Sequence, residues 1–156
     1  KRKIRRGDHS GTIQAVNGDL LRSLLDDGYT PVASPPMLAG DGVAVNTDAD
    51  RASAAVAGEL GGTLVSLTDV EGVYANPDDE STLIERVETP EDYTRLKDAA
   101  EGFMGRKVMA ATEALEAGAE EVIVASANAD EPIRSALAGG GTHVLPGAIA
   151  EVAEGD

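Results

Sequence analysis

The sequence predicts an α/β fold in which helices pack on a largely parallel sheet. Short apolar segments typical of strands, at 63–67 and 121–125, alternate along the chain with segments whose apolar residues recur at helical spacing. Continuous apolar strands of this kind favour a sheet that helices cover on both faces. Apolar residues make up 42% of the 156 residues, which is enough to form the core of about one domain.

Five helices are predicted from apolar periodicity and from residues that begin or end helices. Asn17 can cap the first helix, whose leucines share one face and which ends near Gly28. Thr89, followed by Pro90 and two acidic residues, is a strong helix start. The other helices are expected at 48–60, at about 105–117 and at 131–137.

Strands are predicted where short apolar segments lie between turn residues. A hairpin is expected at 1–13, with its turn at Gly7 and Asp8. Further strands are expected at 30–34, 43–45, 63–67, 121–125 and 142–145. Two prolines end the segment 30–34, and a Gly-Asp-Gly turn at 40–42 precedes the segment 43–45.

The charge distribution is strongly asymmetric. The chain carries 13 basic and 28 acidic residues, a net charge of −15. Five basic residues lie within the first six positions, so the remaining 150 residues carry eight basic and 28 acidic side chains, a net charge of −20. Such a surface repels phosphate backbones and anionic lipids, which argues against nucleic-acid and membrane partners. The composition is typical of a halophilic, cytoplasmic protein, with an acidic mesophilic protein as the alternative.

Several common kinds of site are excluded by residue counts and motifs. The chain has no cysteine, which excludes disulfides and thiolate metal sites, and its two histidines, His9 and His143, are too few for a zinc cluster. It has no GxxxxGK followed by Ser or Thr, no GxGxxG after the first strand and no GxSxG. P-loop, Rossmann and hydrolase sites of the usual kind are therefore not expected.

Three polar loops are the candidate ligand sites. Ligands in open α/β sheets bind beyond the carboxyl ends of the strands, where the loops 46–50 and 68–74 are expected. A third loop, 102–107, combines glycines with Arg106 and Lys107 at a helix start. Glycine and lysine at a helix N-terminus favour phosphate binding.

Four ordered motifs run through these loops and beyond them. They are VNTDADRA at 45–52, LTDVEGVY at 67–74, GFMGRKVMAA at 102–111 and GT at 141–142. Together they resemble the amino acid kinase family. The nearest branch contains acetylglutamate kinase and the relatives that phosphorylate aminoadipate or glutamate held on an amino-group carrier protein.

The resemblance implies a carbamate kinase-like fold, a three-layer α/β/α sandwich with a mainly parallel sheet. Residues 1–62 would be the C-terminal part of the amino-acid-substrate lobe, and residues 63–156 the nucleotide-binding lobe. A preceding part of the substrate lobe would be missing, and we expect the chain alone to be inactive. The cofactors implied are ATP and a Mg²⁺ ion held mainly by phosphates, with no metal site on the protein. A homo-oligomer, a dimer or larger, is expected.

The resemblance also implies roles for individual residues. Asn46 would bind the amino-acid substrate, Asp50 would orient catalytic lysines, and Lys107 would contact the transferring phosphoryl group. Phosphoryl transfer to a carboxylate needs positioning and cations more than acid–base chemistry, so the lack of a suitable histidine is no objection. The residues implied for ATP binding are Thr68, Asp69, Gly72, Tyr74, Glu101 and Gly102.

Alternatives remain open from the sequence. The protein could be a uridylate, aspartate or glutamate 5-kinase, or a non-catalytic nucleotide-sensing domain. Asn46 and Asp50 could simply cap the helix that follows. The substrate's blocking group is either acetyl or a carrier protein. The basic start of the chain favours an acidic carrier protein, and a solvent-facing segment without a partner is the alternative.

Overall fold

The computed structural model describes residues 12–100 and 102–150. The α-helices in these ranges are α1 Gly18–Asp26, α2 Ala49–Leu60, α3 Pro90–Ala99, α4 Gly102–Glu116 and α5 Pro132–Leu137. The strands are β1 Met37–Leu38, β2 Ala44–Val45, β3 Thr63–Thr68, β4 Arg86–Val87, β5 Glu121–Ser126 and β6 Thr142–Val144. Two 3₁₀ helices complete the elements, at Glu80–Thr82 and Pro146–Ile149. No helix in the described ranges is long and apolar enough to cross a membrane.

The larger sheet has the strand order β3-β5-β6-β4. β3 pairs with β5 in parallel, and β4 pairs with β6 in parallel. β5 and β6 are antiparallel. β1 and β2 form a separate antiparallel pair. The prediction of a mainly parallel sheet is therefore confirmed, with one antiparallel pairing at its centre.

Helices cover the sheet on both faces. On one face, Val122 and Val144 join a core that includes Ala54 of α2, Leu96 of α3 and Ala114 of α4. On the other face, Ile123 and Ala125 pack against Ala136 of α5 and Val65 of β3. Adjacent residues of β5 thus face opposite layers, as the alternation of side chains along a strand requires. The three-layer α/β/α sandwich is confirmed.

Helices α2 and α4 pack against each other at small residues. A Cβ atom added at Gly58 would lie 2.3 Å from the Cβ of Ala117, so glycine allows the two backbones to approach. Ala54 and Ala114 are buried in the same core. Arg51 of α2 donates from Nε to the Glu113 Oε2 of α4 at 2.9 Å. Close packing and an ion pair together fix the alignment of the two helices.

Capping residues determine several helix boundaries, as the sequence predicts. The Asn17 side chain accepts a hydrogen bond from the Leu20 N–H at 3.2 Å. Thr89 and Asp92 cap each other's backbone N–H groups at the start of α3. Hydrogen bonds from the Thr89 hydroxyl and from backbone N–H groups hold the pKa of the Asp92 carboxyl below its usual value.

Some sequence predictions are wrong. Residues 30–34 form no strand, and Val32 is 94% exposed. Prolines at 31, 35 and 36 remove backbone donors that a strand would use. β3 is mostly half-buried rather than fully buried, because it is an edge strand of the described sheet.

Other boundaries differ in detail. α4 begins at Gly102 rather than near 105, and β1 and β4 were not predicted. Thr12 and Ile13, at the end of the predicted hairpin, are not in a strand. The rest of that hairpin lies outside the described residues. His143 is buried, with Nδ1 2.8 Å from Glu121 Oε1 on the neighbouring strand.

We predict that Gly58→Ala destabilises the full-length protein by about 1–2 kcal/mol. The methyl group would overlap the Cβ of Ala117 and costs roughly 2–3 kcal/mol, the upper part of the usual range for overpacking, while the better helix propensity of alanine offsets about 1 kcal/mol. Thermal unfolding is expected to shift down by about 3–6 °C. Gly62→Ala is the matched control, because no heavy atom lies within 4 Å of its added Cβ. Equal melting temperatures for the two variants would contradict the close contact of α2 with α4.

Candidate functional site

Lys107 and Asp50 form an ion pair between α4 and α2. Lys107 lies in the second turn of α4 and Asp50 in the first turn of α2. The Lys107 Nζ donates to Asp50 Oδ1 at 3.0 Å, with the two side chains 18% and 34% exposed. Because both charges are partly withdrawn from water, each depends on the other for compensation. The structure thus brings together two residues that are 57 positions apart in the sequence.

Ser66 of β3 is the third member of this group. Its Oγ accepts a hydrogen bond from Lys107 Nζ at 3.2 Å. We refer to Lys107, Asp50 and Ser66 as the lysine cluster. The cluster borders a cavity of about 160 Å³ between α2, α4 and the end of β3. A fixed ammonium beside a small cavity can stabilise an anion bound there.

A second, larger cavity lies where the parallel strands β3 and β5 end. It measures about 460 Å³ and is lined by the predicted residues Asp69, Gly72 and Tyr74. Ser126 and Asn128 line it from the β5 side. Asn128 Nδ2 donates to the Asp69 carbonyl oxygen at 3.2 Å, which joins the loops after the two strands. We refer to this space as the strand-end cavity.

The loop lining the strand-end cavity is anchored by Thr142 of β6. The Thr142 hydroxyl accepts a hydrogen bond from the Val73 N–H at 2.8 Å. A Cβ at Gly72 would lie 2.6 Å from that hydroxyl oxygen, so only glycine fits. Gly141 has φ +93°, and a Cβ there would lie 2.3 Å from the Val124 carbonyl oxygen. The Gly-Thr motif at 141–142 therefore has a structural role, since it holds the loop in place.

Three further predicted residues, Thr68, Gly102 and Asn46, are described by the structure but line neither cavity. Thr68 ends β3, and its hydroxyl donates to Asp69 Oδ1 at 3.2 Å. Gly102 begins α4 with φ +56°, close in sequence to Met104, which lines the strand-end cavity. Asn46 is exposed in the loop between β2 and α2, four residues before Asp50. Glu101 lies outside the described residues.

Two cavities along α2 are apolar and are weaker candidates for a reactive site. They measure about 480 and 1020 Å³, and none of the described residues that line them is charged. Ala52 and Val56 of α2 line both. An anionic substrate gains less from such walls, because none of the described lining residues offers a positive charge to compensate its lost hydration. Size alone therefore does not identify the site.

Three residues of the site were missed from the sequence: Ser66, Ser126 and Asn128. Ser66 is flanked by aliphatic residues on both sides in β3, and a single polar residue in an apolar strand could have identified it as a candidate site residue. Ser126 and Asn128 follow a buried strand, as Thr68 and Asp69 do, so the rule for carboxyl ends of parallel strands could have found them.

The described residues contain no group of three or more His, Asp or Glu side chains placed to hold a metal ion. Asp69, Glu71 and Glu80 line the strand-end cavity but do not form such a group. A divalent ion in this region needs additional oxygen ligands from a bound molecule.

Comparisons with known proteins agree with the motifs. The model of the Amino acid kinase family matches residues 2–126, which is most of the chain. This chain belongs to the Amino acid kinase family. The resemblance seen in the sequence is thereby confirmed, and its motifs lie in the two features just described.

Among curated relatives, a LysW-aminoadipate kinase of Thermus thermophilus is 45% identical over 150 residues, covering 92% of this chain and 54% of the relative. An acetylglutamate kinase of Methanopyrus kandleri is 46% identical over 117 residues, covering 73% of this chain and 47% of the relative. The chain thus spans about half the length of the curated relatives it matches.

A solved structure supports the fold assignment. Carbamate kinase from Giardia lamblia, bound to AMP-PNP, superposes with a TM-score of 0.61 at 26% identity. The match covers 83% of this chain and 44% of that protein. The carbamate kinase-like fold expected from the sequence is confirmed.

We predict that Lys107→Ala in the full-length protein lowers the kcat of phosphoryl transfer by roughly 100-fold or more, about 3 kcal/mol, while the KM for ATP changes little. The prediction follows from the role that the resemblance implies for Lys107, in which its ammonium compensates charge that develops during phosphoryl transfer. Lys97→Ala is the matched control, because Lys97 is exposed on α3 and stacks over Tyr93. Similar kcat values for Lys107→Ala and the parent would remove Lys107 from the reaction centre.

Proposed function

We propose that the full-length protein transfers the γ-phosphoryl group of ATP to the side-chain carboxylate of an N-blocked glutamate or 2-aminoadipate, in arginine or lysine biosynthesis. The observation that carries the proposal is the lysine cluster, which holds an ammonium beside a cavity close to the N-terminal end of α2. The named relatives act on aminoadipate and acetylglutamate, which supports this substrate class.

The charges of the two cavities suggest how ATP binds. The described residues that line the strand-end cavity include three carboxylates and no lysine or arginine, so the cavity suits the ribose and base better than the phosphates. Ser66 is three residues before Asp69, about 10 Å along an extended strand. A nucleotide placed in the strand-end cavity can therefore extend its phosphates to Lys107. A Mg²⁺ ion held mainly by the phosphates would supply additional positive charge.

The proposed reaction needs no general base. The attacking carboxylate is already ionised at neutral pH, so it attacks the γ-phosphorus directly. A new P–O bond forms as the bond to the β–γ bridging oxygen breaks, giving an acyl phosphate and ADP. Lys107 compensates the charge on the transferring group, and Asp50 holds Lys107 in position. Asn46 is proposed to bind the amino-acid substrate, and Thr68, Asp69, Gly72, Tyr74, Glu101 and Gly102 to bind ATP.

The remaining proposals concern the complete protein. We propose that residues 1–62 belong to the amino-acid-substrate lobe and residues 63–156 to the nucleotide lobe. We also propose a homo-oligomeric enzyme of the cytoplasm.

The blocking group is proposed to be an acidic carrier protein rather than acetyl. One relative is named for a LysW-linked substrate, and five cations lie within the first six residues of a chain that is otherwise strongly acidic. Opposite charge would increase the rate at which an acidic carrier associates, whereas a free acetyl amino acid would gain much less.

We predict that the full-length protein prefers carrier-linked glutamate or aminoadipate to the N-acetyl compounds. Neutralising Arg2, Arg5 and Arg6 together should lower kcat/KM for the carrier-linked substrate and leave acetylglutamate activity nearly unchanged. Steady-state assays of both substrates on the parent and the triple variant measure this. Equal losses on both substrates, or a parent active on acetylglutamate alone, would contradict the carrier proposal. Nucleotide binding without turnover of any of these substrates would favour a sensing domain instead.

A further inference from the structure

The lysine cluster contains the neutral hydroxyl of Ser66, although Asp50 alone already balances the charge of Lys107. Ser66 lies on β3 with aliphatic neighbours on both sides in the sequence. Leu64, two residues earlier, packs against the core shared with α2 and α4, whereas Val65 packs on the α5 side. Because side chains alternate along a strand, Ser66 faces α2 and α4. A polar side chain on this apolar face is unfavourable unless it is hydrogen-bonded, and Ser66 is hydrogen-bonded to Lys107.

The number of hydrogens on the ammonium shows what this contact can do. A lysine ammonium carries three N–H donors and is attached to a flexible four-carbon chain. Asp50 accepts one donor at 3.0 Å and Ser66 accepts another at 3.2 Å. Within the described residues, the third donor remains available to a group in the adjoining cavity of about 160 Å³. Two acceptors on different elements fix the direction of that third donor, which a single acceptor cannot do.

A hydroxyl is suited to this task because it accepts a hydrogen bond without adding charge. A second carboxylate in its place would fix Nζ equally well, but it would make the cluster negative and repel a phosphoryl group. Asp50 compensates the charge of Lys107, and Ser66 completes its orientation.

We propose that Ser66 is a positioning residue that aims the Lys107 ammonium at the transferring phosphoryl group. The proposal rests on the proposed function of Lys107 and adds to it a residue on β3. Because Ser66 acts through Lys107, loss of the Ser66 hydroxyl is expected to slow phosphoryl transfer more than it weakens the binding of either substrate.

The test compares Ser66→Thr with Ser66→Val in the full-length protein. Threonine and valine have nearly the same shape, and both suit a strand, but only threonine keeps the hydroxyl. The adjoining cavity leaves room for the added methyl group. We expect Ser66→Thr to keep kcat within about 3-fold of the parent, and Ser66→Val to lower it by about 10-fold or more. Both KM values should stay within about 3-fold of those of the parent.

A merely structural role for Ser66 predicts a different result. Valine would then serve at least as well as threonine, because it is the more apolar of two residues with similar shape. Equal kcat values for the two variants, together with equal melting temperatures, would overturn the proposal.

Nucleotide affinity provides a second readout that does not depend on turnover. Isothermal titration with AMP-PNP and ADP measures how much the γ-phosphate adds to binding. We expect Ser66→Val to reduce the ratio of AMP-PNP affinity to ADP affinity by about 2- to 3-fold, within the range expected for the KM, and Ser66→Thr to preserve it. A parent that binds nucleotide but transfers no phosphoryl group would overturn the proposed function alone. In that case, the same ratio of AMP-PNP affinity to ADP affinity in Ser66→Val and Ser66→Thr would overturn the role of Ser66. A parent that binds no nucleotide would overturn both.

Discussion

The close contact between α2 and α4 is the constraint on which the lysine cluster depends. Asp50 lies on one helix and Lys107 on the other, so the 3.0 Å contact between them exists only if the helices align correctly. Gly58 and Ala117 allow the backbones to approach, and the pair Arg51–Glu113 links the helices between this contact and the cluster. Small residues outside the lysine cluster thus determine where the Lys107 ammonium lies.

The sheet brings the two candidate binding regions close together. β3 contributes Ser66 to the lysine cluster and, just beyond its end, Asp69 to the strand-end cavity. The parallel neighbour β5 adds Ser126 and Asn128 to the same cavity, because parallel strands end at the same edge. Thr142 of β6 holds the lining loop through the Val73 N–H. Three adjacent strands therefore position the residues of the two candidate binding regions.

Much of the fold could be predicted because capping residues in the sequence determine where several helices begin. Asn17 and Thr89 cap helices through local hydrogen bonds that depend on neighbouring residues alone. The two-residue strands β1 and β4 were missed, since pairing with distant segments creates them and they are too short for a periodic pattern. Asp50 and Lys107 could be proposed from motifs, whereas the contact of Ser66 with Lys107 depends on how β3 packs against two helices.

The central claim is that Asp50 acts on the reaction through Lys107, and a double-mutant cycle on kcat tests it most directly. Asp50→Asn is measured in the full-length parent and again in a Lys107→Ala background. If Asp50 only holds the ammonium, Asp50→Asn should lower kcat by about 10-fold or more in the parent and by about 3-fold or less once Lys107 is absent. The same fold-loss in both backgrounds would show that the two residues act independently, and it would contradict the account.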